Sequence, residues 1–162
     1  MKKIYLLLLM PLLLFTCDNE KKELMAEFNA FTKKSDSIVQ VHNTFEATLS
    51  NMSKKHQKLK EVYGSMEIQD STLLKDFEEQ GLMLERHDAV LKSHAEVIEA
   101  HNNADPNFDD INTFELNEKI DKMKQWHERM KNDHEILKEE HKKMKYTYEN
   151  IEKKLNSAKD AN

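Results

Sequence analysis

Histidines are the residues of this 162-residue chain whose type and spacing could do chemistry. Two segments each carry three histidines at intervals of seven: His87, His94 and His101, then His127, His134 and His141. On an α-helix that interval returns each side chain to nearly the same face, so each segment predicts a stripe of imidazoles. Imidazole is a common protein ligand for Zn²⁺, Cu²⁺ and Ni²⁺, so binding of a transition-metal ion is the first chemistry to consider.

Long helices are the elements that position these stripes. Charged residues make up 34% of the chain, which contains only 2 Gly and 2 Pro, a composition typical of helices rather than strands. Apolar residues recur in steps of four and three along three segments, as the a and d positions of a coiled coil do. Gly64 ends the first segment, an N-cap signal at 69–72 starts the second, and a loop with Pro106 precedes the third.

These segments predict an all-α fold, an antiparallel three-helix coiled-coil bundle with histidine-containing core layers. We expect helices at about 24–67, 71–103 and 111–158, in one bundle domain that covers 24–158. The C-terminal part of the third helix, from Tyr148 to Leu155, is expected to extend past the first helix. An apolar overhang of this kind would offer a surface for forming a homo-oligomer.

The a and d positions form an apolar seam along each helix, and all eight histidines lie on these seams. Six belong to the two stripes, and the other two, His42 and His56, lie on the seam of the first helix. Histidines seven apart on one helix are ~10.5 Å apart along its axis, too far to share an ion. A metal site therefore has to combine histidines from different helices. One alignment of the helices predicts a layer of His56, His87 and His127, and another predicts His42, His94 and His127.

Three interpretations of the seam histidines remain open. They can be polar spacers that fix the alignment of the helices at a cost in stability, as Asn does in coiled coils. They can bind a Zn, Cu or Ni ion, or haem, or they can respond to pH, because burial lowers the pKa of histidine. The Glu-x-x-His and His-Glu-x-x-His motifs of known metal sites are absent from the sequence.

The N-terminus has the features of a secretory signal. Two lysines precede an apolar run at 4–15 that is too short to span a bilayer as a helix. The run ends at Leu14-Phe15-Thr16-Cys17, which resembles the lipobox of bacterial lipoprotein signal peptides.

This resemblance implies that residues 1–16 are a signal peptide and that Cys17 becomes the lipid-modified first residue, carrying fatty-acyl chains such as palmitate. Residues 17–23 would then be the lipidated cysteine and an acidic tether. Two or more acyl chains anchor a protein stably, whereas one chain alone binds a membrane only marginally. The expected partner of the N-terminus is therefore a membrane.

Beyond this signal, the chain resembles the small helical lipoproteins of Bacteroidota that are labelled "viral A-type inclusion protein". The resemblance covers the signal peptide and the heptads of the His-x-x-apolar type, and it implies no particular activity. The acidic residues that follow Cys17 resemble those of surface-exported lipoproteins in the same group. The outer membrane or the cell surface is therefore the expected location, and the inner membrane is the alternative, because in enteric lipoproteins an Asp directly after the Cys, here Asp18, is associated with retention there.

Charge and motif content restrict the function. The net charge is −5 and no basic patch stands out, so nucleic acid is not an expected partner. No constellation of catalytic residues is present, so we expect no enzyme and no cofactor. The sequence predicts a lipid-anchored envelope protein that acts as a non-enzymatic helical interaction or structural module. The alternative is the binding or buffering of a divalent transition metal by histidine layers that cross the helices.

Overall fold

The fold is a bundle of three helices. A computed structural model describes residues 10–66, 70–103 and 107–160, which form α1 at Met10–Gly64, α2 at Ser71–Asn102 and α3 at Thr113–Asp160. α1 packs against both other helices, and α2 also packs against α3. No strand occurs among the described residues. The predicted all-α, three-helix bundle with histidines in its core is therefore confirmed.

Successive helices run in opposite directions. Ser35 of α1 contacts His101 of α2, whereas His42, one heptad later in α1, contacts His94, one heptad earlier in α2. The contacts between α2 and α3 reverse in the same way. α1 and α3 are therefore parallel to each other and antiparallel to α2, and where the three helices overlap a core layer takes one residue from each helix.

Side-chain caps define where α2 and α3 begin. The Asp70 carboxylate accepts a hydrogen bond from the backbone N–H of Thr72 at 2.8 Å, and the Asp70 carbonyl accepts one from the Tyr63 hydroxyl at 2.9 Å. Before α3, the Asn112 side chain accepts from the N–H of Glu115 at 2.9 Å, and the Glu115 carboxylate accepts from the N–H of Asn112 at 3.4 Å. These reciprocal bonds satisfy donors that the first turn leaves unpaired.

The first helix is longer than the sequence predicts. α1 begins at Met10 rather than near residue 24, and it runs through residues 17–23, the expected tether. Pro11 lies in the first turn, where its missing N–H costs nothing, and no Gly or Pro interrupts the helix after it. Residues 1–9 and the side chain of Cys17 lie outside the described residues, so the signal peptide and the lipidation site remain predictions.

None of the described helices contains a stretch that is both long and apolar enough to cross a membrane.

The apolar core forms two clusters near the two ends of the bundle. The smaller cluster combines residues 24–31 of α1 with residues 108–120. The larger cluster combines residues 45–66, at the end of α1 and just after it, with 73–91 of α2 and 137–155 of α3. Along α1, Ser35 and His42 lie between the two clusters. Polar layers therefore occupy the middle of the core.

The end of α3 is covered by the rest of the chain, which contradicts the predicted overhang. Tyr148, Ile151 and Leu155 are 1%, 0% and 1% exposed. The ring of Tyr148 lies 6.0 Å from the ring of His56 on α1, so this part of α3 is level with α1 and not beyond it. Along α1, α3 is displaced by whole heptads from both predicted alignments of the helices. The surface that was expected to form a homo-oligomer is therefore buried.

Truncation of Leu155 tests this burial. We expect Leu155→Ala to lower the free energy of unfolding by about 2–5 kcal/mol, because it opens a cavity in the core. The matched control is Leu82→Ala, because Leu82 is 67% exposed and its truncation should cost no more than about 0.5 kcal/mol. Urea denaturation followed by circular dichroism measures both. Equal small losses in the two variants would contradict the covered position of Leu155.

Candidate metal centre

His42, His94 and His134 meet in one layer, one from each helix, and we call them the histidine trio. The ring centroids of His94 and His134 are 5.1 Å apart, and the His42 ring lies 5.9 Å from His94 and 6.3 Å from His134. One ring nitrogen of each histidine lies within 4.8 Å of the other two. The three residues are only 3%, 4% and 6% exposed, so the trio belongs to the core.

Carboxylates contact the outer nitrogens of two of these rings. His94 Nε2 lies 2.9 Å from Asp133 Oδ2, and His42 Nε2 lies 3.3 Å from Glu46 Oε1. A carboxylate accepts a hydrogen bond from a ring N–H, so it favours the tautomer in which the other nitrogen, Nδ1, carries a lone pair. Such a partner orients a histidine for metal binding.

Each ring of the trio also has a buried nitrogen without a hydrogen-bond partner. These atoms are Nδ1 of His42, Nδ1 of His94 and Nε2 of His134. Buried polar atoms in proteins are usually paired, because an unpaired one loses its bonds to water without replacement. His56, His87 and His141 also have an unpaired buried ring nitrogen, but in the trio three such histidines meet in one layer, where one metal ion bound by their lone pairs would satisfy all three.

Burial favours the uncharged form of two histidines of the trio, His134 and His42. It lowers the pKa of His134 to about 4, and the neighbouring rings of His94 and His42 lower that pKa as well. Burial is also the main cause that lowers the pKa of His42, although the nearby Glu46 carboxylate opposes the shift. A metal ion binds the neutral form of imidazole. His42 and His134 are therefore ready to act as ligands at neutral pH.

The spacing of the trio is close to that of a tetrahedral metal site. Bonds of about 2.0–2.1 Å to Zn²⁺ place two imidazole nitrogens about 3.3 Å apart. Starting from nitrogens within 4.8 Å of one another, each ring has to move inward by less than about 1 Å. Three imidazoles leave the fourth position of a tetrahedral ion for a water molecule or a carboxylate. The residues present thus fit a divalent transition metal.

The ring of His134 is held by an aromatic neighbour and can also be reached from solvent. The Phe45 ring stacks on His134, with centroids 5.0 Å apart and planes at 21°, and this contact limits rotation of the imidazole. A cleft between α1 and α3 reaches both His134 and His127 from the surface. A hydrated ion could therefore approach His134 without the helices separating.

Four other histidines meet in pairs across α2 and α3. The His87 and His141 ring centroids are 5.0 Å apart, and those of His101 and His127 are 5.9 Å apart. Each pair lies one heptad from the trio, on opposite sides of it. Seven of the eight histidines therefore share a layer with another histidine, as the phase of the seams predicts.

His56 departs from this pattern. Its ring contacts Phe77 at 5.7 Å and Tyr148 at 6.0 Å, and it has no histidine neighbour among the described ring contacts. The predicted layer of His56, His87 and His127 therefore does not form.

The second predicted layer is wrong in one member. His42 and His94 do meet, but their partner on α3 is His134 and not His127. The difference is one heptad along α3. α3 begins at Thr113, near its predicted start, but His101 near the end of α2 meets His127, 14 residues into α3, so the first turns of α3 extend past the end of α2.

The carboxylates that contact the core histidines are not among the residues predicted from the sequence. Asp133 and Glu140 each directly precede a core histidine of α3, and each reaches across to α2, where they contact His94 and His87 at 2.9 and 2.6 Å. Burial acts to raise the pKa of Glu140, but hydrogen bonds from His87 and Arg86 outweigh it and lower the pKa below its ordinary value. The repeated acidic residue before the histidine is the signal that could have revealed them.

Comparisons of the chain with known protein families, with curated proteins and with solved structures find no match. The function is therefore inferred from the sequence and from the geometry of the trio.

Acid should destabilise the bundle. The pKa is about 4 for both His134 and His141 in the folded protein, mainly because of burial, against about 6.5 in an unfolded chain. Their contribution to stability is fully present above pH 6.5 and is lost as the pH falls toward 4. In the presence of EDTA, we expect the free energy of unfolding to fall below pH 6.5 by up to about 1.4 kcal/mol per pH unit for each of these histidines.

Urea denaturation at a series of pH values measures how the free energy of unfolding changes with pH. The variant His134→Leu shows how much of that change comes from His134. The titratable groups that act on His134 are His42 of α1, His94 of α2, and Asp133 and Glu135 of α3. Leucine removes one proton-binding group from the core, so the slope below pH 6.5 should become shallower. An equally steep slope in the variant would show that His134 is not a buried neutral histidine.

Proposed function

We propose that this chain is a lipid-anchored, non-enzymatic envelope protein that binds one divalent transition-metal ion through His42, His94 and His134. The observation that carries the proposal is the convergence of three buried imidazoles: one ring nitrogen of each lies within 4.8 Å of the other two, and each ring has a buried nitrogen without a partner. Imidazole is a borderline ligand that suits Zn²⁺, Cu²⁺ and Ni²⁺ better than Mg²⁺ or Ca²⁺, which prefer oxygen.

Nearby carboxylates support the binding of a doubly charged ion in this core. A bound cation brings two positive charges into a layer that is otherwise neutral, and such a charge is costly unless it is compensated. Asp133 and Glu46 lie against His94 and His42, at 2.9 and 3.3 Å from their Nε2 atoms. Their negative charges offset that cost, and their hydrogen bonds increase the basicity of the ligands.

The lipid anchor is proposed from the sequence. The apolar run at 4–15 and the lipobox-like Leu14-Phe15-Thr16-Cys17 support lipidation of Cys17, and the acidic residues after it support an outer-membrane or cell-surface location. Metal binding at the cell envelope would then serve to capture or buffer an ion close to the membrane.

A helical interaction module is the second candidate function. It is supported by large apolar side chains on the outer faces of the helices, such as Ile136 and Tyr146, which are 57% and 67% exposed. Single exposed apolar residues are ordinary on protein surfaces. We therefore place this function after metal binding.

Isothermal titration of the full chain with Zn²⁺, Cu²⁺ or Ni²⁺ tests the metal proposal. All proteins carry Cys17→Ala, so that the thiol does not bind the metal, and are kept in detergent. We expect one tight equivalent to depend on the trio, and His134→Leu or His94→Leu should abolish that equivalent. Asp133→Asn should weaken that equivalent by about 10- to 100-fold, as loss of a ligand's hydrogen-bond partner does.

The choice of leucine separates metal binding from folding. An apolar residue at a core position of a helical bundle keeps the bundle folded, so loss of binding cannot be attributed to unfolding. The matched control is His56→Leu, because His56 lies on the seam of α1 away from the trio, and this variant should bind like the parent. Binding no tighter than about 1 mM in the parent protein would refute the proposal.

Metabolic labelling with a palmitate analogue tests the anchor. In a bacterial host that processes lipoproteins, the parent chain should take up the label and fractionate with membranes. Cys17→Ala should abolish labelling, because this cysteine is the single one in the chain. Persistent labelling of Cys17→Ala, or an unlabelled parent, would exclude lipidation at this residue.

A further inference from the structure

A second polar layer lies one heptad from the trio. Ser35 Oγ lies 2.8 Å from Nε2 of His127 and 3.3 Å from Nε2 of His101, so nitrogens from two helices converge on one oxygen. The same hydroxyl lies 3.2 Å from the carbonyl oxygen of Phe31. A hydroxyl has one proton and can donate to only one of these acceptors. When both Nε2 atoms carry lone pairs, at least one of them is therefore left without a donor.

A small cavity adjoins this layer. Its volume is about 20 Å³, and its lining includes Ser35, His101, His127 and Trp126. A cavity of this size holds one water molecule. The two histidines here are half-buried, in contrast to the buried trio. The layer thus combines two imidazoles, a hydroxyl and room for one small molecule from solvent.

We propose that Ser35, His101 and His127 form a second site for a divalent transition-metal ion, with one coordination position open to a small exchangeable ligand. The two Nε2 atoms are the main ligands, the serine hydroxyl is a weaker third one, and the cavity takes a water molecule or a small anion. Metal sites with few protein ligands keep such an open position, whereas sites with four protein ligands are closed. The inference rests on the proposed function for the class of metal.

The charges around the layer favour this use. Burial lowers the pKa of His101, and burial together with the charge of His101 and then Lys34 lowers the pKa of His127, so both rings are neutral at neutral pH. Lys34 acts against a bare cation but attracts an anion, whereas Glu128 acts in the opposite sense.

The chain contains a local reporter for this site. Trp126 is its single tryptophan, it lines the cavity, and its ring centroid lies 6.0 Å from that of His101. The trio is about 10 Å further along the bundle. Bound Cu²⁺ quenches indole fluorescence at short range, so quenching reports mainly on this layer, while calorimetry counts the ions at both layers.

The experiment titrates the full chain carrying Cys17→Ala, in detergent, with Cu²⁺. We expect two equivalents and strong quenching in this parent protein. His101→Leu should lose one equivalent and more than half of the quenching, and it should keep the equivalent that depends on His134. His134→Leu should lose the other equivalent and keep both the quenching and the equivalent that depends on His101. His56→Leu is the matched control and should resemble the parent, and circular dichroism confirms that each variant is helical.

Two results would overturn the second site: undiminished quenching in His101→Leu, or loss of both equivalents in His134→Leu. Failure of the proposed function gives a different result. In that case no equivalent would depend on His134, while the quenching that depends on His101 would remain. Ser35→His gives a test by gain of affinity. A third imidazole should tighten the quenching equivalent and leave the other unchanged, and an unchanged affinity would argue against coordination in this layer.

Azide tests the open position. Added to the Cu²⁺-loaded parent or to loaded His134→Leu, azide should produce a new charge-transfer absorption band. It should produce none in the double variant His101→Leu, His134→Leu, which lacks both sites; loaded His101→Leu is not the control, because an ion at the trio also leaves a fourth position that azide could occupy. The absence of the band in the parent would exclude an exchangeable ligand at this layer.

Discussion

The seven-residue period shared by the three helices is the constraint on which the rest of the structure depends. Residues seven apart return to the same seam, so the helices can change their alignment only by whole heptads if the apolar side chains are to stay buried. One alignment brings His42, His94 and His134 into a single layer. In the same alignment, apolar clusters fill the core toward both ends of the bundle, and the end of α3 is covered by α1 and α2.

Burial of so many imidazoles has an energetic cost that the surrounding residues reduce only in part. Glu140 and Asp133 accept hydrogen bonds from His87 and His94, which satisfies the outer nitrogen of each ring. The inner nitrogens remain unpaired, and each unpaired buried group costs about 1–3 kcal/mol. Leucine at the same positions would avoid that cost. A core built for stability alone would therefore not be expected to contain these layers.

Much of the fold could be predicted from the sequence, because its signals are local. The seam phase identifies the core positions, and caps such as Asp70 and Asn112 mark where α2 and α3 begin. The composition of the trio could be predicted only up to a shift of one heptad, because the apolar repeat is unchanged by that shift. The start of α1 was missed because the charged stretch before residue 24 also lacks residues that break a helix.

The carboxylate contacts depend on information that periodicity does not contain. Asp133 lies beside the seam of α3, and whether it reaches His94 depends on which helix is on that side and on the direction of its side chain. The pairing of Ser35 with His101 and His127 likewise depends on the alignment of all three helices. Patterns along a single helix identify ligands, whereas their partners follow from the arrangement of the helices.

The trio also has a consequence for how the chain folds. His42 and His134 belong to the first and last helices, with the whole of α2 between them, so their contact closes a long loop. Long-range contacts of this kind generally form after the local hairpins, because closing a long loop costs more entropy. An ion held by all three helices would act as a crosslink that forms late and must break early in unfolding. Such a crosslink would lengthen the lifetime of the folded bundle without speeding its formation.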